Sequence, residues 1–203
     1  LRGVLGQVDF SNVGGVFLQA LEAVGSNLFA ASGGNLVQVT ISGGTAVVGA
    51  IADDGKTLIA GNDGDVTITA GGLYYVWDGA TLTTPAAGAF SNFGAHDVLG
   101  GYTIITERDG SRFQWSNLFD AKTLDGLNYA TAEGRDGPLI RPVVVNGNVL
   151  LFKENSYEVW TLSGLANENA FSSLNSVRDI GLKSHRLVAR FPNGVFFIGG
   201  NNR

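Results

Sequence analysis

The sequence predicts an all-β fold, a β-propeller of about four blades plus the start of a fifth. Three observations predict it. Thirty of the 203 residues are Gly, about twice the usual share of ~7%. Asp-Gly occurs at 54–55, 63–64, 78–79, 109–110, 125–126 and 136–137, and Asn-Gly at 146–147 and 193–194; these dipeptides suit tight turns because Gly, Asn and Asp tolerate positive φ. Helical periodicity is nearly absent, and short apolar runs alternate with turn signals instead. Finally, a hairpin whose second strand ends in Trp returns at a spacing of 38 residues from Trp77 to Trp115 and 45 from Trp115 to Trp160. A period near 40 residues with several strands per unit marks a propeller.

The elements follow in order. Residues 27–41, NLFAASGGNLVQVTI, read as strand, Gly33-Gly34 turn, strand. TAVVGAIA (45–52) and KTLIAGN (56–62) fit two strands of one blade. Residues 65–78, DVTITAGGLYYVWD, repeat the hairpin around Gly71-Gly72. The stretch 83–100, with Pro85, small residues and two Phe, reads as a looser connection. Residues 101–116 turn at Asp109-Gly110, PLIRPVVV (138–145) fits a further strand, and 148–161 turn at Glu154-Asn155. The stretch 165–178 reads as a loop or short helix projecting from its blade, and 194–203 begins a fifth copy. The whole, 1–203, reads as a single propeller domain, incomplete at both ends. The first residue is Leu, the chain has no Met, and residue 203 falls inside a hairpin, whereas open sheet edges are normally paired or covered.

In such a fold Trp77, Trp115 and Trp160 occupy equivalent places in successive blades. Large flat side chains fill the space between stacked sheets, each burying roughly 150–250 Å², so packing between blades outweighs three aromatic binding sites.

Composition bounds the chemistry. The net charge is −5 without a block of like charge, which argues against a basic nucleic-acid surface or a polybasic membrane anchor. With no Cys, disulfides and thiolate zinc sites are excluded. His96-Asp97 and His185 form no metal-ligand pattern. No apolar run reaches the ~18 residues of a membrane span, and no signal peptide opens the chain.

Several acidic patterns compete with plain turns. Asp53-Asp54-Gly55-Lys56-Thr57 comes closest to a sialidase-type Asp box, but Ile51 and Leu58 stand where a hydroxyl residue and an aromatic belong. Glu133 with Asp136, and Asp120, Asp125 and Glu158, are candidates for the paired carboxylates of glycoside hydrolysis; acids are common at propeller turns, so structural roles are favoured. Asn62-Asp63-Gly64-Asp65 alternates oxygen ligands as a calcium loop does, without the closing Glu at EF-hand spacing. No stretch matches a P-loop or a Gly-x-Ser-x-Gly elbow. The reading assigns no catalytic residue, cofactor or metal.

Residues 115–164, WSNLFDAKTLDGLNYATAEGRDGPLIRPVVVNGNVLLFKENSYEVWTLSG, are more specific. This segment resembles the packaged-DNA stabilisation proteins, the tail-hub or head-to-tail connector family of short-tailed phages. The matching residues are Trp115 and Ser116, then Asp125, Leu127, Tyr129, Ala130, Ala132, Glu133 and Asp136, then Leu151, Phe152, Ser156, Glu158, Val159, Trp160 and Gly164. Gly137-Pro138 after Asp136, and Lys153 and Asn155, depart from the family pattern at turn positions. From about Phe17 to Leu82 the likeness lies in the order of strands, and Ile180-Gly181 matches a later Gly-containing segment.

The resemblance implies a virion protein of the tail and not an enzyme. It implies a homo-oligomeric ring, a hexamer, beneath the portal and adaptor proteins, which closes the channel and stabilises packaged DNA. Tail needle and tail spikes would be further partners. DNA would pass or be retained without sequence-specific binding, as an acidic surface allows. Glu133 and Glu158 would cap turns or pair between blades. Two rival readings are a carbohydrate- or receptor-binding propeller, which needs exposed aromatics gathered on one face, and a propeller glycoside hydrolase, which needs two facing acids.

Overall fold

Tight two-residue turns organise the chain. In the computed structural model, which describes residues 11–14, 17–191 and 194–200, Asp63-Gly64 has φ 49° and 93°, Gly100-Gly101 59° and 88°, and Asn146-Gly147 50° and 73°. Both central residues are left-handed, the signature of type I′ hairpins whose twist matches that of the strands. The flanking pairs Asn62↔Asp65, Leu99↔Tyr102 and Val145↔Asn148 close them.

Four antiparallel four-stranded meanders result. Blade 1 contains β1 (Leu18–Val24), β2 (Asn27–Ser32), β3 (Asn35–Val39) and β4 (Thr45–Ala50). Blade 2 contains β5 (Leu58–Asn62), β6 (Asp65–Ala70), β7 (Leu73–Trp77) and β8 (Leu82–Thr83). Blade 3 contains β9 (Phe93–Leu99), β10 (Tyr102–Glu107), β11 (Arg112–Trp115) and β12 (Tyr129–Thr131). Blade 4 contains β13 (Leu139–Val145), β14 (Asn148–Lys153), β15 (Tyr157–Leu162) and β16 (Phe171–Arg178). A fifth unit follows: β17 (Gly181–Leu182) pairs with β20 (Gly199–Gly200), and β18 (Val188–Phe191) with β19 (Gly194–Phe197). The first strands β1, β5, β9 and β13 pack in succession along the axis. This is the predicted propeller.

The core lies between the sheets. Phe29, Leu36, Ile51, Ile59 and Ile68 join blade 1 to blade 2. Tyr74, Val76, Phe93 and Ile105 join blade 2 to blade 3. Tyr102, Phe113, Trp115, Leu139, Leu151 and Phe171 join blade 3 to blade 4, and Val143, Phe152 and Leu182 join blade 4 to the fifth unit. Alternating side chains on one strand serve two seams: Tyr74 and Val76 face forward, Tyr75 and Trp77 backward, as the period of two requires.

Each connection between blades crosses the central hairpin turn of the blade it leaves. Ile51 N donates to Gly34 O at 2.9 Å, Phe93 N to Gly72 O at 2.9 Å and Leu139 N to Gly110 O at 2.7 Å. At the fourth crossing Gly181 lies on the Glu154-Asn155 backbone so closely that an added Cβ would sit 2.2 Å from Glu154 C and O. Gly181→Ala must push two main chains apart. Its expected cost is about 2–3 kcal/mol, at the upper end for overpacking, read as a lower urea midpoint with an unchanged slope.

Five expectations need correction. Residues 45–52 and 56–62 do not share a blade: β4 closes blade 1 and β5 opens blade 2. The stretch 83–100 contains β9, the first strand of blade 3. The stretch 165–178 is one 3-10 turn, Asn167–Asn169, and then β16, the last strand of blade 4. The fifth unit begins at β17 and not at Gly194; residues 201–203 of that segment lie outside the described residues. Trp115 faces the following blade, whereas Trp77 and Trp160 face the preceding one. A repeat near 40 residues does not fix a face, because a shift of one residue in a strand exchanges its two sides.

Candidate functional site

The segment that carries the family likeness is built around a polar seam between blades 3 and 4. Lys153 ends β14 and its side chain is buried. Its Nζ donates to Ala132 O at 2.6 Å and to Arg135 O, and lies 3.9 Å from Glu158 Oε1. Glu158, buried on the neighbouring β15, accepts from Gly134 N at 2.7 Å and from Trp160 Nε1 at 3.4 Å. The connection 132–135 is thus bound from below by one cation and one anion of blade 4. Burial pushes the Lys153 ammonium below its usual pKa, and the Glu158 carboxylate opposes this. Trp160 stacks edge-on against Phe113 at 5.0 Å, and Trp115 packs on Phe171 at 5.1 Å. Trp115 is buried; Trp77 and Trp160 are half-buried and pack on the seam cores. All three therefore join blades, and Glu158 binds the connection between blades 3 and 4 through Gly134 N while its ion-pair partner Lys153 lies in its own blade. Glu133 is exposed, with no hydrogen bond or ion pair among the described residues.

A second polar centre sits at β9. His96 is fully buried, and its ring nitrogens meet Thr67 Oγ1 at 3.1 Å and Thr69 Oγ1 at 2.9 Å, both on β6. Burial, with Arg141 and Arg190 nearby, holds its pKa down at about 3. The neutral ring therefore stabilises the fold fully above the unfolded value near 6.5, and this stability is lost as pH falls toward about 3. Between pH 7 and 5 the expected loss from His96 is about 2 kcal/mol. Urea unfolding of the wild type and of His96→Gln at both pH values reads it: the variant's midpoint moves less on acidification. Equal shifts in the two proteins would remove His96 as the cause.

Asp97, next on β9, is buried facing the axis. Its carboxylate accepts from Arg190 NH1 at 2.9 and 3.1 Å and from Val144 N at 2.8 Å. Glu22 stands on the same side; burial raises its pKa, against the pull of Arg190. Arg186 donates to Gln19 O and Gly55 O, so the fifth unit reaches blade 1 and the connection that follows it.

Of the acidic candidates, Glu133 and Asp136, both exposed, line one open cavity with Arg135 and Lys153; the others serve as turn caps or seam partners. Asp120 accepts from Lys122 N at 3.1 Å and Asp125 from Leu127 N at 2.9 Å, both as turn caps. Asp136 is exposed on the connection that precedes β13. Asp54 caps Lys56 N at 3.0 Å and pairs with Arg108 at 3.0 Å. These contacts and the Gly71 amide outweigh partial burial and lower its pKa. The Asn62–Asp65 stretch is a hairpin turn, and Asn62 points inward to Thr103 Oγ1 at 2.9 Å. Gly55-Lys56-Thr57 has the closing tripeptide of a P-loop, but Ala50 stands where its first Gly belongs and a strand follows. No cluster of three or more His, Asp or Glu suited to a metal occurs among the described residues. No helix among them is long and apolar enough to cross a membrane.

Sequence reading missed the Lys153 anchor and the threonine cradle of His96. A charged residue at the end of an apolar strand, and Thr67 and Thr69 alternating on one face of β6, were the available signals.

A family model described as "Bacteriophage P22 Gp10, beta-propeller" matches residues 9–203, which include the whole seam segment. The chain belongs to this phage stabilisation family. It is a phage structural protein with the family's propeller fold. No curated protein matches the sequence. Among solved structures, the computationally designed Ika4 is similar at TM-score 0.56 and 13% identity, over 77% of this chain and 99% of that one. The designed Ika8 is similar at 0.58 and 14%, over 92% and 57%. Apo AztD from Citrobacter koseri is similar at 0.54 and 11%, over 94% and 52%. The chain thus spans about half the length of the last two, and at these identities the likeness shows fold alone.

Proposed function

We propose that this protein acts by assembly, as part of the tail hub of a short-tailed phage. Copies form a homo-oligomeric ring, a hexamer, below the portal and adaptor proteins. The ring closes the channel after packaging, holds the genome in place, and offers attachment to the tail needle and tail spikes. DNA passes or is retained through shape and charge repulsion, since a chain of net charge −5 gives phosphate little to bind. One observation carries the reading: the segment with the family likeness folds into a seam in which Glu158 of the shared motif, with Lys153 beside it, binds the connection between blades 3 and 4. A rigid scaffold is what an assembly protein under load requires.

Antibody labelling of purified virions, viewed by electron microscopy, tests the proposal. Label confined to the tail vertex next to the portal, in intact or partly disrupted particles, is the expected result. Label at fibre tips would transfer the case to receptor binding. Absence from both intact and disrupted particles, with the protein free in lysate, would end the hub reading.

A further inference from the structure

We infer that the cleft between the hairpin turns of blades 2 and 3 and the 183–187 loop binds a carboxylate carried on a short apolar stem. The cleft encloses about 270 Å³. Its inner wall is apolar, with Ala70, Phe93, Ala95 and Leu139, and Lys56 and Lys183 stand among the charged residues that line it. His185 also lines it, and its Nε2 is buried without a hydrogen-bond partner. Such orphaned polar atoms are rare and costly in a native fold. The residue is held in place: its carbonyl accepts from Arg141 NH1 at 2.7 Å, and Leu187 N closes the turn on Ser184 O at 3.0 Å.

Charge in the cleft favours an anion. Of its two acids, Asp54 is occupied by Arg108 at 3.0 Å, and Asp109 sits exposed on the blade 3 turn. Lys183 pairs at its rim with Glu154 at 3.1 Å, whereas Lys56 makes no ion pair among the described residues. Burial keeps the His185 pKa low, at about 4, with Arg186, Arg141 and Lys56 acting in the same direction and Asp54 against it. At neutral pH the ring is therefore an uncharged donor when its proton is on Nε2. Nε2 is shielded from solvent, so a carboxylate beside Lys56 accepts from Nε2–H when the ring of the half-buried His185 turns outward, while its stem covers Phe93 and Leu139. The volume is below the roughly 300–1,000 Å³ of pockets for drug-sized ligands, which limits the guest to one acidic side chain, a chain terminus or a small acid.

The chain has only two His, so proton NMR of the ring C–H signals reads the site directly, with buried His96 as an internal reference. Butyrate and a short peptide with one central Glu are the probes. Either should move the His185 signals saturably, leave those of His96 in place, and raise the His185 pKa by linkage. Lys56→Ala should weaken binding about 5–10-fold, as should moderate salt, and His185→Phe, followed on the probe's own resonances because the reporter ring is gone, should abolish it with the His96 signals unchanged. A peptide at least tenfold tighter than butyrate would assign the site to a segment of a partner protein; comparable affinities would assign it to a free small acid. No saturable shift with either probe at tens of millimolar, or unaltered binding by His185→Phe, would overturn the proposal.

Discussion

Trp115→Ala should lower the unfolding free energy by about 3–5 kcal/mol, the range for deleting a large aromatic from a closed core. Trp115 is 1% exposed and touches both Phe113 of its own blade and Phe171 of the next. Removing it deletes the side chain that spans the seam, and sheets tied by ladders on their own backbones cannot move in to fill the void. Trp160 gives the comparison. It packs on Phe113 at 5.0 Å but remains half-buried, so Trp160→Ala should cost less, about 1.5–3 kcal/mol. Urea denaturation followed by fluorescence of the remaining Trp measures both. A loss under about 1 kcal/mol at Trp115 would contradict its role as the seam's main filler.

The second large effect belongs to Lys153. Lys153→Met keeps length and removes the donor, leaving the Ala132 and Arg135 carbonyls without that partner and the Glu158 carboxylate without its counter-charge inside the seam. The expected cost is about 3–5 kcal/mol, that of stranding buried partners. Glu158→Gln should be milder, about 1–2 kcal/mol, because an amide oxygen still accepts from Gly134 N. The two effects should nearly add. At 3.9 Å the ion pair is weaker than the hydrogen bonds each partner makes elsewhere, so a double-mutant cycle should give a coupling under about 1 kcal/mol. A coupling of 3 kcal/mol or more would instead make the ion pair, which lies within blade 4, the main support of the seam.

Turns were the most legible part of the fold. Asp63-Gly64 and Asn146-Gly147 adopt positive φ because of their own chemistry, and this needs no knowledge of distant residues. The strands hardest to read are those whose conformation is imposed by a neighbour. β1, LQALEAV, has the composition of a helix and is extended because β2 offers it a ladder. β16, FSSLNSVR, is poor in the usual strand formers and pairs with β15 only by way of an irregularity, with Asn175 at φ 52°. Segment 115–164 revealed the family but not the physics behind its motif. Lys153 is held by carbonyls 18 and 21 residues away, and backbone acceptors leave no mark in a sequence. His185 was likewise visible only as a lone histidine; its cleft is made by six segments spread over blades 2 to 4, the fifth unit and the connection that follows blade 1.

The axial carboxylate of Asp97 bears on the order in which the chain can mature during synthesis. Its partners are Val144 N, 47 residues later, and Arg190, 93 residues later. When blade 3 leaves the ribosome, neither exists. Asp97 then has only the adjacent Val98 N, at 2.9 Å, and a carboxylate so poorly paired resists burial. Water must therefore stay at the axis until β13 and then β18 arrive. Blades 1 to 3 can form their sheets early, from local hairpins, yet Asp97 gains its charge partner only when β18 docks. A nascent chain that stops short of Arg190 would hold complete sheets around an axial carboxylate without its counter-charge.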